Sequence, residues 1–232
     1  MITYNVWLNF NPSGTFKIDT VMLFKTAPEK FWNLIASKYA ASPIADRSAY
    51  EIKIKNIKTY LLPEMVVLDI GCGTGTQCGD IADRVKQVTG IDISCKLLDI
   101  AEQRVAERGL DNVTFLQTSV FDERYVPGSF DLVMAFHVLH FFDDIDAGLQ
   151  RIHDLLAPGG LFISETACLG EKSQLTAKLL RFMGYLGLLP TINMLTTRQL
   201  ERALEKTGFR LLEKTRFSDR PDAEFTLIAR KK

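Results

Sequence analysis

At 232 residues, with 47% hydrophobic and 24% charged residues, the chain has the composition of an ordinary globular protein with a sizeable core. Its 28 basic and 28 acidic residues cancel, which argues against a strongly electrostatic partner such as duplex nucleic acid while leaving room for a local patch. Runs of about twenty apolar residues are absent, so no membrane span is expected, and Cys72, Cys78, Cys95 and Cys168 form neither a C-x-x-C pair nor a metal-ligand cluster.

Residues 1–26 hold a turn signal, Asn11-Pro12-Ser13-Gly14, between two short β-prone stretches. Residues 27–62 read as two helices. Pro28 suits a first helical turn, and Phe31, Trp32, Leu34, Ile35 and Tyr39 give the first helix an apolar side. The second runs from Ala45 to Leu62 and stops at Pro63. Strands and helices then alternate, the pattern of a parallel sheet. Met65–Ile70 is the first strand and Gln77–Val85 its helix. Val88–Ile93 is the second strand, with Ser94 as N-cap of a helix to Gly109. Val113–Gln117 and Phe130–Phe136 are the third and fourth strands. Ile145, Leu149, Ile152, Leu155 and Leu156 trace one helix face, Ala157-Pro158-Gly159-Gly160 ends that helix, and Leu161–Ser164 is strand five. Residues 168–195 interrupt the alternation with an unusually apolar segment closed by Pro190. Thr197–Thr207 is a helix ending at Gly208, and Phe209–Thr215 with Phe225–Arg230 reads as an antiparallel hairpin.

The densest signal is Val66-Val67-Leu68-Asp69-Ile70-Gly71-Cys72-Gly73-Thr74-Gly75. A short apolar run ends in an acid and a G-x-G-x-G loop, which reads as a buried parallel strand followed by a ligand loop. A dinucleotide site wants G-x-G-x-x-G. Here Gly75 comes one residue early and Thr76 takes the sixth position, which disfavours a nicotinamide dehydrogenase. Asp69 would sit badly beside a pyrophosphate and suits a ligand with a cationic amino group. Asp92 lies at the end of the second strand, where a carboxylate can take both hydroxyls of a ribose.

The string LDIGCGTG resembles the first motif of the class I S-adenosylmethionine-dependent methyltransferases. VTGIDIS, VPGSFDLVMAFHVLHFF, LLAPGG and TTRQLERALEKTGF extend the resemblance from Met65 to Lys232. It implies an α/β, Rossmann-like, doubly wound seven-stranded sheet in the order 3-2-1-4-5-7-6 with strand seven antiparallel. Residues 1–62 are then an N-terminal arm and helical cap, and 63–232 the cofactor-binding domain, with 168–195 a lid-like insertion. The implied cofactor is S-adenosyl-L-methionine, with S-adenosyl-L-homocysteine as product. Gly71, Cys72 and Gly73 would offer backbone contacts to its amino-acid end beside Asp69, Asp92 would take the ribose, and Ile93 would pack on the adenine. Many relatives place an acid after strand three to bind the adenine amino group. Thr118-Ser119-Val120 stands there instead, leaving Ser119 and Val120, or Asp122 three residues beyond Ser119, as alternatives.

His137 follows strand four, near the expected methyl group, and His140 lies close. Either is a candidate general base or a structural histidine. Tyr39 resembles the tyrosine of the family's cap, with core packing as the alternative. The acceptor is expected to be a small apolar or amphipathic molecule, with Phe182 and Met183 of the insertion lining its pocket. A protein or nucleic-acid methyltransferase, or a non-catalytic cofactor-binding protein, is the competing reading. No metal is expected, and the reduced cysteines together with the lack of a signal pattern point to the cytoplasm.

Overall fold

The computed structural model of the protein describes residues 28–171, 178, 182, 184, 189–220 and 223–232. The expected hairpin or arm at 1–26, and Met183 with most of the apolar stretch of 168–195, lie outside the described residues.

The cap is two helices, α1 (Pro28–Ala41) and α2 (Arg47–Lys58). The alternating region follows as β1 (Val66–Ile70), α3 (Thr76–Ile81), β2 (Gln87–Asp92), α4 (Cys95–Glu107), β3 (Val113–Gln117), β4 (Phe130–Phe136), α5 (Ile145–Leu155) and β5 (Leu156–Glu165). The chain closes with α6 (Thr197–Lys206), β6 (Phe209–Thr215) and β7 (Thr226–Lys231). The seven strands form one sheet in the order β3-β2-β1-β4-β5-β7-β6. Strands β1 to β5 pair in parallel, and β7 runs antiparallel to both β5 and β6.

The central strands are apolar on both faces because helices cover both. Val67, Leu132, Met134 and Ile163 share one core with Ile54 and Ile57 of α2 and Leu98 and Val105 of α4. The alternate residues Leu68, Val133, Ala135 and Phe162 share the other with Leu149 and Ile152 of α5 and Leu200 and Leu204 of α6. Helix starts follow local chemistry. Asp46, Ser94 and Asp144 each accept a backbone N–H three residues on, and Thr196 with Gln199 forms a capping box.

One boundary differs from the sequence reading. The helix ends at Leu155, and the strand begins at once with Leu156 instead of at Leu161. Leu156 pairs with Phe130, and the register shifts before Leu132 pairs with Leu161. Pro158 and the left-handed Gly159 are therefore absorbed as an irregularity within β5 rather than forming a separate turn.

Two polar clamps fix the cap over the sheet. Asn33 Oδ1 accepts from Ser94 Oγ at 2.7 Å and from the Lys96 N–H at 3.2 Å. Arg104 donates to Thr74 Oγ1 at 2.7 Å and to the Ala40 carbonyl at 3.1 Å. The cap is thereby tied to α4 and to the loop that leaves β1.

Candidate functional site

Ligands of open α/β sheets sit beyond the carboxyl ends of the strands, where strand order reverses. Here the reversal falls between β1 and β4, and Tyr39, Asp69, Gly71, Cys72, Gly73, Asp92, Ile93, Ser119, Val120 and His137 all line the cavities beside it, whereas His140, Asp122 and Phe182 do not. The loop after β1 is tied to β2: the Gly71 and Cys72 N–H groups donate to the Ile91 carbonyl at 2.8 and 3.0 Å. Gly71 has φ 66°, and a Cβ there would meet Val138 Cγ2 at 2.6 Å, so both conformation and space demand glycine. Gly73 has φ 54°, and a Cβ there would meet only Tyr39 Cε1, in ordinary contact at 3.7 Å, so it is the backbone conformation that favours glycine.

Asp92 organises this end. Its Oδ2 accepts from the Gly73 N–H at 3.0 Å and its Oδ1 from the Ser94 N–H at 2.9 Å. Burial raises its pKa, and the backbone donors of Ser94, Gly73 and Ile93 oppose the rise. Asp69, 2% exposed, accepts only a weak bond from Cys78 Sγ at 3.1 Å. Burial pushes its pKa to about 7, a rise that the Cys78 hydrogen bond moderates and the Asp92 charge adds to.

Two cavities meet here. One, of about 430 Å³, is lined by Asp92, Ile93, Ser119, Val120 and the aromatic rings of Trp32 and Phe141. The other, of about 830 Å³, lies under the cap and is markedly more polar, reaching Asp69, Lys53, Glu165 and Glu224. Tyr39, Gly71, Phe136 and His137 border both. Tyr39 is half-exposed and stands edge-on to Trp32, so it is part of the cavity wall and not of the core.

Asp122 is drawn away from the smaller cavity. It accepts from Thr118 Oγ1 at 2.6 Å and is chelated by Arg124, whose hydrogen bonds hold its carboxyl well below the usual carboxylate range. Between the two alternatives after β3, Ser119 and Val120 line the cavity and Asp122 does not.

His137 is the only non-glycine described residue with positive φ, at 54°. The surroundings over-determine that strained backbone. Its N–H donates to the Glu165 carbonyl at 2.7 Å, and its ring lies between two acids: Nε2 is 3.1 Å from Glu165 and Nδ1 is 3.0 Å from Glu224. Desolvation pulls its pKa down, but the hydrogen bonds to Glu165 and Glu224 and their charges outweigh it and raise the pKa to about 9. At neutral pH the ring is an imidazolium donating from both nitrogens, with no lone pair to act as a base. Glu165 is buried, which alone would raise its pKa. His137 and Lys53, which donates to both its oxygens at 2.9 and 3.0 Å, together with Thr226 bring it down to about 2.

His140 is elsewhere. It is buried, packs against Phe141 with the rings tilted and their centroids 4.1 Å apart, and lines neither cavity. Burial and the charge of His137 lower its pKa to about 4, so the ring is neutral. Phe182 is 57% exposed and lines neither cavity, whose wall at this end is Pro190 and Thr191. The sequence reading missed Trp32 and Phe141 as cavity walls, and Lys53, Glu165 and Glu224 altogether. Glu165 carried a signal: like Asp69 and Asp92, it is an acid closing an apolar parallel strand.

The sheet order, the glycine loop and the acids ending β1 and β2 define a class of protein, the Rossmann-like cofactor-binding α/β domains. Residues 61–211 match the family described as "Methyltransferase domain", and the chain belongs to it, as a class I S-adenosylmethionine-dependent methyltransferase. It is 38% identical over 97 residues to a demethylmenaquinone methyltransferase of Porphyromonas gingivalis, covering 40% of each protein. It is 31% identical over 163 residues to the O-methyltransferase resE of Aspergillus sclerotiorum, covering 68% of this chain and 61% of that one. The chain spans less than two thirds of the length of these curated relatives. In fold it is similar to the magnesium protoporphyrin IX methyltransferase ChlM of Synechocystis PCC 6803 with bound SAH, with TM-score 0.69 and 20% identity over 90% of this chain and 99% of that one. It is likewise similar to the cyclase SpnF, with TM-score 0.70 and 19% identity over 88% of this chain and 94% of that one.

Proposed function

We propose that the protein transfers a methyl group from S-adenosylmethionine to a small molecule held under the cap, in the cytoplasm. The observation that carries this reading is the meeting of the two cavities at Gly71 and His137. A cavity of about 430 Å³ with Asp92 in its wall ends where a second, larger one begins. The residues fit the cofactor. Asp92, already set by the Gly73 and Ser94 N–H groups, keeps oxygen lone pairs for two ribose hydroxyls. Ile93, Ser119 and Val120 with the aromatic wall would bracket the adenine. Gly71, Cys72 and Gly73 would contact the amino-acid end. Asp69, whose charged form is costly where it lies, gains from a cationic amino group. Tyr39 would close the cap side.

When bound, the cofactor supplies a methyl group on a sulfonium with a neutral leaving group. The chain's own task is then to align an acceptor and exclude water, which can supply roughly 7–11 kcal/mol of the barrier. Residues Trp32, Tyr39 and Phe141, held by the Asn33 and Arg104 clamps, serve the exclusion. Oxygen-bearing acceptors are favoured by the relatives, among them the O-methyltransferase resE and a ubiquinone biosynthesis O-methyltransferase of Albidiferax ferrireducens. The polar under-cap cavity supports an amphipathic acceptor over a wholly apolar one. The test is a screen of acceptors with radiolabelled methyl donor, followed by mass spectrometry of the product. Label in a small molecule is the expected result. Label found solely in protein or nucleic acid would overturn the reading.

A further inference from the structure

The under-cap cavity holds several carboxylates, and their surroundings separate them. Glu165 is saturated by Lys53, His137 and Thr226. Asp46 is spent on the Ala49 N–H and Ser218. Asp69 lies beneath the glycine loop, against Cys78. Glu224 differs from all of these. It stands just before β7, lines the cavity, is 24% exposed, and has His137 Nδ1 as its hydrogen-bond partner at 3.0 Å. A carboxylate has about four lone-pair sites, and one donor leaves capacity for another. His137 in turn is fixed by its backbone bond to Glu165 and by Nε2, so it holds Glu224 in the larger cavity beside a ring that borders both.

We infer that Glu224 recognises the acceptor through an O–H or N–H donor and takes that proton, with His137 as its positioning residue, so that the site accepts hydroxyl- or amine-bearing molecules and rejects free carboxylic acids. This rests on the methyltransferase reading above. The balance is simple. The acceptor heteroatom bonds the methyl carbon with its own electron pair, the carbon–sulfur pair stays on sulfur, and the heteroatom's proton passes to the Glu224 carboxylate. A carboxylate acceptor has no proton to give at neutral pH and so makes no use of the Glu224 carboxylate.

The test has three arms. Calorimetry with S-adenosylhomocysteine comes first: failure of wild type to bind it would bring down the methyltransferase reading itself, apart from this inference. Next, wild type is assayed with labelled methyl donor against phenols and quinols, primary and secondary amines, and carboxylic acids. Turnover is expected in the first or second series and not the third. Preference for carboxylic acids, or silence of the first two series in a protein that binds S-adenosylhomocysteine, overturns the inference. Finally, E224Q should lower kcat about 10²–10⁴-fold, with S-adenosylhomocysteine affinity within threefold of wild type and partial recovery in E224D. Nitrogen NMR of the imidazole gives a readout independent of turnover. The His137 ring should be doubly protonated at pH 7.5 in wild type and lose its proton at lower pH in E224Q. Wild-type turnover by E224Q, or an unchanged His137 titration in it, would contradict the assignment.

Discussion

The two cavities are built in opposite ways. The smaller one is organised by a single stretch of chain: Gly71, Gly73 and Asp92 lie within 22 residues, and the Gly73 and Ser94 N–H groups hold Asp92. The larger one draws Lys53 from α2, His137 from the end of β4, Glu165 from β5 and Glu224 from the segment before β7, and holds them by side-chain ion pairs. A site made from local backbone geometry is set by the sequence of one motif. A site made from distant charges depends on the whole fold and can be changed one residue at a time.

The ion-pair network of the larger cavity depends most on Lys53. Its side chain and that of Glu165 are 8% and 13% exposed. Lys53→Met takes from a largely buried carboxylate one of its two cations and should cost about 3 kcal/mol of stability in denaturant titration. A loss below about 1 kcal/mol would mean that the network is not a buried unit. On the other side, Asp92→Ala removes the acceptor of two backbone donors and of the expected hydroxyls. Each charge-assisted bond is worth about 1.5–3 kcal/mol, so S-adenosylhomocysteine affinity should fall at least about tenfold. Unchanged affinity would remove Asp92 from the site.

The two histidines and the acids of the second cavity show what the sequence did and did not reveal. Strand order, the antiparallel β7 and the loop after β1 were legible because hydrophobic runs, caps and glycine spacing are local. His137 was legible as a position but not as a chemical species. Its imidazolium state comes from Glu165 and Glu224, 28 and 87 residues away in sequence. His140 looked equivalent to it three residues on, yet the short helical turn at Leu139–Phe141 points it into the interior. The start of β5 was misread because Pro158 and Gly159 normally end strands, whereas pairing of Leu156 with Phe130 carries the strand through them.

Titration sharpens the comparison further. The pKa of Asp69 is raised from 3.8 to about 7 in the folded protein, so its ionisation weakens the fold as pH climbs through that interval. A cationic amino group favours the ionised form. S-adenosylhomocysteine affinity should therefore tighten roughly tenfold between pH 6 and pH 8, and Asp69→Asn should flatten the dependence. A flat wild-type profile would count against contact between Asp69 and the amino group. His137 works with the other sign. Its folded pKa is raised from 6.5 to about 9, so its contribution is fully present below pH 6.5 and lost as pH rises through about 9. The stability gap between wild type and His137→Gln should close over that window. A gap independent of pH would mean that the ring serves by packing alone. The smallest effect is expected at the exposed pair Arg47–Glu51, where Arg47→Ala should cost less than about 1 kcal/mol. A loss matching that of Lys53→Met would erase the distinction between surface and buried pairs.

Titration calorimetry of the wild-type protein with S-adenosylhomocysteine and, separately, with NAD tests the central claim most directly. The geometry of the glycine loop, Asp69 and Asp92 predicts one site for S-adenosylhomocysteine and binding of NAD at least tenfold weaker, about 1.4 kcal/mol. Tight NAD binding with no heat from S-adenosylhomocysteine would contradict it.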